Sequence, residues 1–200
     1  MSKIVQNSLK VTLRKELKEK IKQIPLESRK TQSNHVTKKI LQTDEFKNAK
    51  GISLYLSTSG EVDTTEILKV SFQQNKAVFV PTYSGNVMEM VRLNSWEDYD
   101  NLPLTKWNIK QPELDNIREN AMEGKHNLDL FLMPGVGFTT KGERMGHGMG
   151  YYDKYLTRYF NKFGRSGTKL FALAFDEQIV DELPTDPHDV LLDKIFYSSC

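Results

Sequence analysis

Three short apolar runs constrain the fold of this chain more than any other feature of its sequence. They are KAVFVP (residues 76–81), LDLFLMP (128–134) and KLFALAF (169–175), and proline ends the first two. Runs of this length without polar alternation are typical of strands buried on both faces of a parallel sheet. Two further strands are predicted, GISLYLS (51–57) and, at an edge of the sheet, VMEMVRL (87–93).

An amphipathic helix is predicted near the amino terminus. Apolar residues recur at spacings of four, four, four and three before Pro25, which places them on one helical stripe. The residues of this stripe are Leu9, Leu13, Leu17, Ile21 and Ile24. A second helix is predicted over residues 26–41, with Val36 and Ile40 facing inward.

A third helix is predicted after the first strand. The stretch Asp63-Thr-Thr-Glu66 has the pattern of a capping box, and the helix that it opens is expected to end near Phe72. Residues 95–127 are expected to cover the fold with short turns. Strands that alternate with helices predict an α/β fold, namely a three-layer single domain over residues 1–200 with a mainly parallel central sheet and helices on both faces.

Charge and cysteine content exclude several classes of protein. The net charge is +2 and no run of lysine and arginine stands out, so nucleic acid is not an expected partner. Cys200 is the only cysteine, which rules out an intrachain disulfide and agrees with a reducing compartment. The amino-terminal stretch is too polar for a signal peptide, and the longest apolar run is far shorter than a membrane span. We therefore expect a cytoplasmic protein without membrane partners, and we expect a monomer.

The most suggestive segment for function is GERMGHGMGYYDKYL, residues 142–156, in which three glycines alternate directly before a predicted helix. Glycine permits positive φ and has no Cβ, so successive N–H groups can turn toward one anion, and the start of a helix adds partial positive charge. Arg144 could hold the same phosphate, and Asp153 would tolerate phosphate only with a cation such as Mg²⁺ between them. The segment therefore suggests Mg-ATP, although short glycine patterns also occur in flexible connectors.

The position of this segment agrees with the expected fold. In open α/β sheets, ligands bind beyond the carboxyl ends of the strands. Four polar or glycine-containing stretches follow predicted strands there: STSGE, TYSGN, GVGFTTKGERMGHGMG and DEQ. We expect these four stretches to surround the site.

An ordered set of motifs adds a family resemblance. The pattern R-x-G-x-G-x-G-Y-Y-D-x-x-L, which follows PGVGF, resembles the signature of the 5-formyltetrahydrofolate cyclo-ligases, also called methenyltetrahydrofolate synthetases. The resemblance extends over nearly the whole chain, from S-L-K-x-x-x-R on the first helix through SLYLSTSGEVDTTEI, FVPTY, MEMVRL, KWNIKQP and LALAF to PHDVLLD. The motifs lie in the expected order, and this order is far more specific than the glycines alone.

The resemblance implies an enzyme of one-carbon metabolism. It would convert 5-formyltetrahydrofolate (folinic acid) and its polyglutamates to 5,10-methenyltetrahydrofolate, with ATP as co-substrate and Mg²⁺ as cofactor. ADP and phosphate would be released through a phosphorylated formyl intermediate. The alternative is a catalytically inactive folate- or nucleotide-binding protein of the same fold. An RNA-binding relative would need an added recognition segment, for which this domain leaves no room.

The resemblance also implies which residues hold ATP. They are Lys10, Arg14, Arg144, Gly146, His147, Gly148, Met149, Gly150, Tyr151 and Tyr152, and the catalytic roles fall to Arg144 and Tyr152. Some relatives have lysine or glycine in place of Met149, and Lys10 and Arg14 could supply the missing charge here. From spacing alone, Lys10 and Arg14 would be interpreted as part of a solvated helix face.

A folate pocket and a metal site are implied as well. Glu61 is expected to accept hydrogen bonds from the pterin amino group and the adjacent ring N–H. Candidates for the pocket walls are Leu56, Tyr83, Met90, Trp107 and Tyr152, although aromatic and methionine residues are more often part of the core. Asp153 and Asp189 match the metal ligands. Without the resemblance, Glu61 would be a loop carboxylate and Asp189 a turn residue, easily confused with Asp193.

Overall fold

The computed structural model describes residues 3–105, 109–113, 118–186 and 189–199. Within these residues, eight strands follow one another: β1 Gly51–Leu54, β2 Ala77–Ser84, β3 Val87–Leu93, β4 Leu130–Met133, β5 Gly137–Phe138, β6 Arg144–Met145, β7 Lys169–Leu173 and β8 Lys194–Phe196. The α-helices are α1 Lys3–Gln23, α2 Leu26–Gln42, α3 Asp44–Asn48, α4 Thr65–Gln73, α5 Trp96–Asp100 and α6 Tyr151–Phe163. Two 3₁₀ turns lie at Ala121–Glu123 and Asp176–Gln178. Among the described residues, no helix has the length and apolarity needed to cross a bilayer.

Six of the strands form one sheet in the order β3-β2-β1-β4-β7-β8, while β5 and β6 form a separate antiparallel pair. Every neighbouring pair in the large sheet is parallel except β2 and β3, which form an antiparallel hairpin at the edge. Gly85 has a φ of 53° in the turn of that hairpin. The predicted mainly parallel sheet and the edge position of residues 87–93 are confirmed.

Alternating side chains of the strands supply two separate cores. On one face, Ile52 and Leu54 pack in the cluster that contains buried residues of α1, α2 and α4, including Val36 and Ile40. On the opposite face, Phe131 packs in a cluster with aromatic residues of α6. The helices therefore cover both faces, as predicted, and the inward orientation of Val36 and Ile40 is confirmed.

Two local predictions around β1 are wrong in detail. The hydroxyl of Thr64 donates to the carbonyl of Tyr55 at 2.7 Å, so the chain has left the sheet after Leu54. The expected capping box requires Asp63 as the N-cap, but the N-cap of α4 is Thr64, and the N–H of Asp63 donates to the hydroxyl of Ser33 at 3.1 Å. Asp63 instead accepts a hydrogen bond from the N–H of Thr65 at 2.9 Å.

The apolar stripe of α1 is buried in only part of its length. Leu17, Ile21 and Ile24 lie in the core, whereas Leu9 is 47% exposed. The amino-terminal half of α1 therefore extends past the packed core, where its residues 7–18 lie beside a cleft at the edge of the sheet.

Candidate active site

A cleft of about 1430 Å³ opens at the carboxyl ends of β1, β2 and β4. One face of α1 between residues 7 and 18 lines one side, and the loop of residues 145–150 lines another. This is the edge of the sheet where the sequence predicts ligand binding. The expectation that the DEQ stretch surrounds the site is wrong. Gln178 is buried, and its side chain donates to the carbonyl of Gly135 at 2.7 Å instead of lining the cleft.

The glycine loop connects β6 to α6 and has the backbone geometry that its sequence predicts. Gly148 has a φ of 118° and Gly150 a φ of 65°, both in the region that favours glycine. Gly150 is the N-cap of α6, and no described side chain caps the first turn of that helix. The amino end of α6 is therefore available to an anion at the cleft.

Two cations of α1 reach this loop and the segment that faces it. The Nε of Arg14 donates to the carbonyl of Gly146 at 2.9 Å. The Nζ of Lys10 lies 2.7 Å from Asp186 Oδ2 and 3.3 Å from Asp189 Oδ2. Both side chains thus lie in the cleft, where the family resemblance places them, and not on a solvated helix face.

Arg144 is almost fully buried at the base of the glycine loop, with 4% of its side chain exposed. Its Nη2 lies 2.9 Å from Asp153 Oδ2, and the other oxygen of Asp153 accepts from the N–H of Val190 at 3.2 Å. Within the part of the chain that the structure describes, Arg144 Nε is buried without a hydrogen-bond acceptor. An unpaired donor on a buried guanidinium is unfavourable by itself, so an acceptor brought by a ligand would be stabilised there.

Asp153 and Asp189 both line the cleft, and the Val190 contact brings their segments together. Each carboxylate is paired with one cation, Arg144 for Asp153 and Lys10 for Asp189. The described residues contain no group of three or more His, Cys, Asp or Glu able to hold a metal without further ligands. Two carboxylates suit Mg²⁺, which usually keeps waters and takes phosphate oxygens as its remaining ligands.

Glu61 lies on the opposite side of the cleft, in the turn after β1. Its Oε2 accepts hydrogen bonds from the backbone N–H and the hydroxyl of Thr58 at 2.8 and 2.9 Å. Its Oε1 lies 3.8 Å from Nε2 of His147, a residue of the glycine loop. The side chain of Glu61 is 14% exposed, so the acceptor that it offers is largely shielded from water.

Three tyrosines close the space between Glu61 and the glycine loop. Tyr151 donates to the carbonyl of Gly85 at 2.7 Å, and its ring centroid lies 5.0 Å from that of Tyr83. Burial raises the pKa of Tyr152 well above its usual value, and the neighbouring Tyr83 and Glu61 raise it further. Tyr152 therefore stays a neutral phenol at physiological pH and can donate a hydrogen bond, but it cannot act as a base.

Of the remaining candidates for the pocket walls, two line the cleft and one lies in the core. Leu56 and Tyr83 line the cleft. Met90 is fully buried in the core, where its sulfur lies 3.1 Å from the hydroxyl of Ser53, and it does not line the cleft. The side chain of Met90 belongs to the core face of β3, as methionines more often do. Trp107 lies outside the described residues.

The structure also brings residues to the cleft that the motif analysis does not single out. They include Thr58, Lys18, Gln111 and Asp186. Thr58 belongs to the STSGE stretch that was expected at the site, so its position in the sequence was a usable signal. Lys18 follows Lys10 and Arg14 by one further helical turn, which places it on the same face of α1. Gln111 belongs to the KWNIKQP motif and Asp186 directly precedes PHDVLLD, so both lie at or beside a motif of the family.

These features define an α/β protein in which a glycine loop suited to phosphate faces a second, carboxylate-containing pocket in one cleft. The family model described as "5-formyltetrahydrofolate cyclo-ligase family" matches residues 6–198. The chain belongs to this family.

Relatives agree with that assignment over almost the full chain. A protein of Mus musculus named "5-formyltetrahydrofolate cyclo-ligase" is 41% identical, covering 98% of this chain and 97% of its own length. A probable 5-formyltetrahydrofolate cyclo-ligase of Caenorhabditis elegans is 36% identical, with coverages of 94% and 92%. The NMR structure of Aquifex aeolicus 5,10-methenyltetrahydrofolate synthetase superposes with a TM-score of 0.73 at 28% identity, covering 94% of this chain and 89% of that one.

Proposed function

We propose that this protein is an ATP-dependent ligase that converts 5-formyltetrahydrofolate and its polyglutamates to 5,10-methenyltetrahydrofolate, with release of ADP and phosphate. The observation that supports this most directly is the shared cleft, in which the glycine loop and Glu61 face each other with 3.8 Å between His147 Nε2 and Glu61 Oε1. A phosphate donor and a pterin held at these two places would meet in one cavity.

The proposed chemistry has two steps. The formyl oxygen attacks the γ-phosphorus of ATP, so that an O–P bond forms, the bond to ADP breaks and the formyl carbon becomes electrophilic. The neighbouring bridge nitrogen of the folate then attacks that carbon and loses its proton, and the carbon–oxygen bond breaks with departure of phosphate. Phosphorylation is needed because an amide-type oxygen is a poor leaving group and its phosphate ester is a good one.

The cations of the cleft are assigned to the phosphates. Lys10, Arg14 and Arg144, which line the cleft, neutralise charge on the triphosphate, and Arg144 Nε is one of several buried donors that lack an acceptor within the described residues. N–H groups of the glycine loop and the first turn of α6 hold phosphate oxygens. Asp153 and Asp189 would hold Mg²⁺, which would supply Lewis-acid stabilisation of the transferring phosphoryl group.

The folate side of the cleft is assigned to Glu61, Leu56 and three tyrosines. Glu61 accepts from the pterin, while Leu56 and Tyr83 contact its ring. Tyr151 and Tyr152 lie between the two substrates, and the neutral Tyr152 hydroxyl donates to an oxygen that gains negative charge. Residues 1–200 act as one domain in this proposal, and the cytoplasmic location and monomeric state stay predictions.

The test is incubation of the protein with 5-formyltetrahydrofolate, with ATP and Mg²⁺ together, with each omitted, and with chelator. We expect the absorbance of the methenyl product only when ATP and the divalent cation are both present, because phosphorylation must precede ring closure. Equal turnover without ATP would contradict the mechanism. Binding of folate and ATP without product would favour the inactive binding protein instead.

A further inference from the structure

The turn that carries Glu61 is closed twice by the same residue. The N–H of Glu61 donates to the carbonyl of Thr58 at 3.1 Å, and Oε2 of Glu61 accepts from both the N–H and the hydroxyl of Thr58. Arg29 supports the turn from outside, since its Nη1 donates to the carbonyl of Ser59 at 2.6 Å and its Nη2 to that of Ile21 at 2.7 Å. The backbone of the turn is thereby tied to α1.

The two carboxylate oxygens of Glu61 differ in their contacts, because Oε2 accepts both hydrogen bonds from Thr58. A carboxylate oxygen that accepts two charge-assisted hydrogen bonds has little remaining capacity for a third. Oε1 lies 3.8 Å from Nε2 of His147, and His147 lines the cleft. The Thr58 hydroxyl thus fixes the rotation of the carboxyl group so that Oε1 is offered to the cleft.

We infer that Thr58 is a positioning residue for folate recognition, acting through Glu61 and not by contact with the reacting atoms. The inference rests on the proposed function, since it assumes that Glu61 accepts from the pterin. Without the hydroxyl, the backbone N–H of Thr58 still holds Oε2, but the carboxyl group can rotate about that one bond. Folate binding must then fix the orientation of the carboxylate, and the entropy lost in doing so lowers the folate affinity.

The test compares three single substitutions in the full chain. Thr58→Val removes the hydroxyl and keeps the β-branched shape, and Thr58→Ser keeps the hydroxyl. Thr31→Val makes the same chemical change at an exposed position of α2, outside the cleft. Isothermal titration with 5-formyltetrahydrofolate, without ATP, gives the Kd, and steady-state kinetics give KM for each substrate.

We expect Thr58→Val to weaken folate binding about tenfold, in line with loss of one hydrogen bond to a charged group. The KM for ATP and the melting temperature should change little, and Thr58→Ser and Thr31→Val should bind folate as the parent does. A parent-like Kd for Thr58→Val, or an equal loss in Thr58→Ser, overturns the inference while leaving the proposed function intact. A parent protein that binds no folate overturns both.

Discussion

At the scale of single residues, Asp153 has two possible roles that one substitution can distinguish. It can be a metal ligand, or it can be a structural carboxylate that only holds Arg144. Asp153→Asn keeps an oxygen for the Val190 N–H but places an amide NH2 group against the guanidinium of Arg144. It also removes a hard anionic ligand, so we expect turnover to fall at least about tenfold, or roughly 1.4 kcal/mol of transition-state stabilisation. Raising Mg²⁺ should restore part of the activity.

The control for this prediction is Asp181→Asn, since Asp181 is exposed and does not line the cleft. Mg²⁺ titrations of turnover for parent, Asp153→Asn and Asp181→Asn make the comparison. If Asp153→Asn requires no more Mg²⁺ than the parent, Asp153 is not a metal ligand, and its role is limited to holding Arg144.

At the scale of elements, the contribution of the glycine loop to ATP binding can be measured separately from the backbone strain that a substitution of glycine introduces. A Cβ on Gly148 would lie 3.7 Å from the guanidinium carbon of Arg14, so a branched side chain there would enter the space between two phosphate-binding groups. The φ of 118° is also strained for any residue with a Cβ. We expect Gly148→Val to lower ATP affinity at least about tenfold, or roughly 1.4 kcal/mol.

Gly167 offers a matched control, because it has a φ of 85° and nothing lies within 4 Å of an added Cβ. Gly167→Val should therefore lose stability from backbone strain while keeping ATP affinity. Melting temperatures and ATP titrations of both variants distinguish the two effects. If Gly148→Val binds ATP as well as Gly167→Val does, the loop is only a connector and its assignment to phosphate is wrong.

At the scale of the whole molecule, the ion pair between Asp98 and Arg118, within residues 95–127, should make the stability of the fold depend on pH. Arg118 forms two hydrogen bonds of 2.6 Å with the carboxylate of Asp98, and its Nη1 also donates to the carbonyl of Arg92 in β3. The hydrogen bond from Arg118 lowers the pKa of Asp98 below its usual value. Because the folded-state pKa is depressed, the stabilisation is complete above the unfolded pKa of about 4 and is lost as pH falls through the folded value.

We therefore expect Asp98→Asn to lower the free energy of unfolding by about 2 kcal/mol at pH 7. The difference from the parent should shrink as pH falls from about 4 through the lower folded-state pKa, because Asp98 is protonated first in the unfolded chain and then in the folded parent. Urea unfolding of the parent and the variant across this pH range measures the difference in the free energy of unfolding. Asp100→Asn is the control, since the Asp100 side chain is 70% exposed and should contribute little. A difference that is independent of pH would rule out the charge of Asp98 as its cause.

The sequence by itself determined the elements whose signals are local. Apolar runs such as residues 128–134 are buried on both faces, so their strand character is visible without knowledge of their neighbours. The glycine loop was predictable for a related reason, since the positive φ of Gly148 and Gly150 depends on the residue type at those positions. The family motifs extended this information to single site residues.

Tertiary structure alone decided which side chains meet and which strand face they occupy. The contact of Arg14 with Gly146 spans 132 residues of sequence, and that of Lys10 with Asp186 spans 176. Met90 lies in the core because the pairing of β3 with β2 sets which face its side chain occupies. Such contacts depend on packing between distant segments, and no local pattern of residue types encodes them.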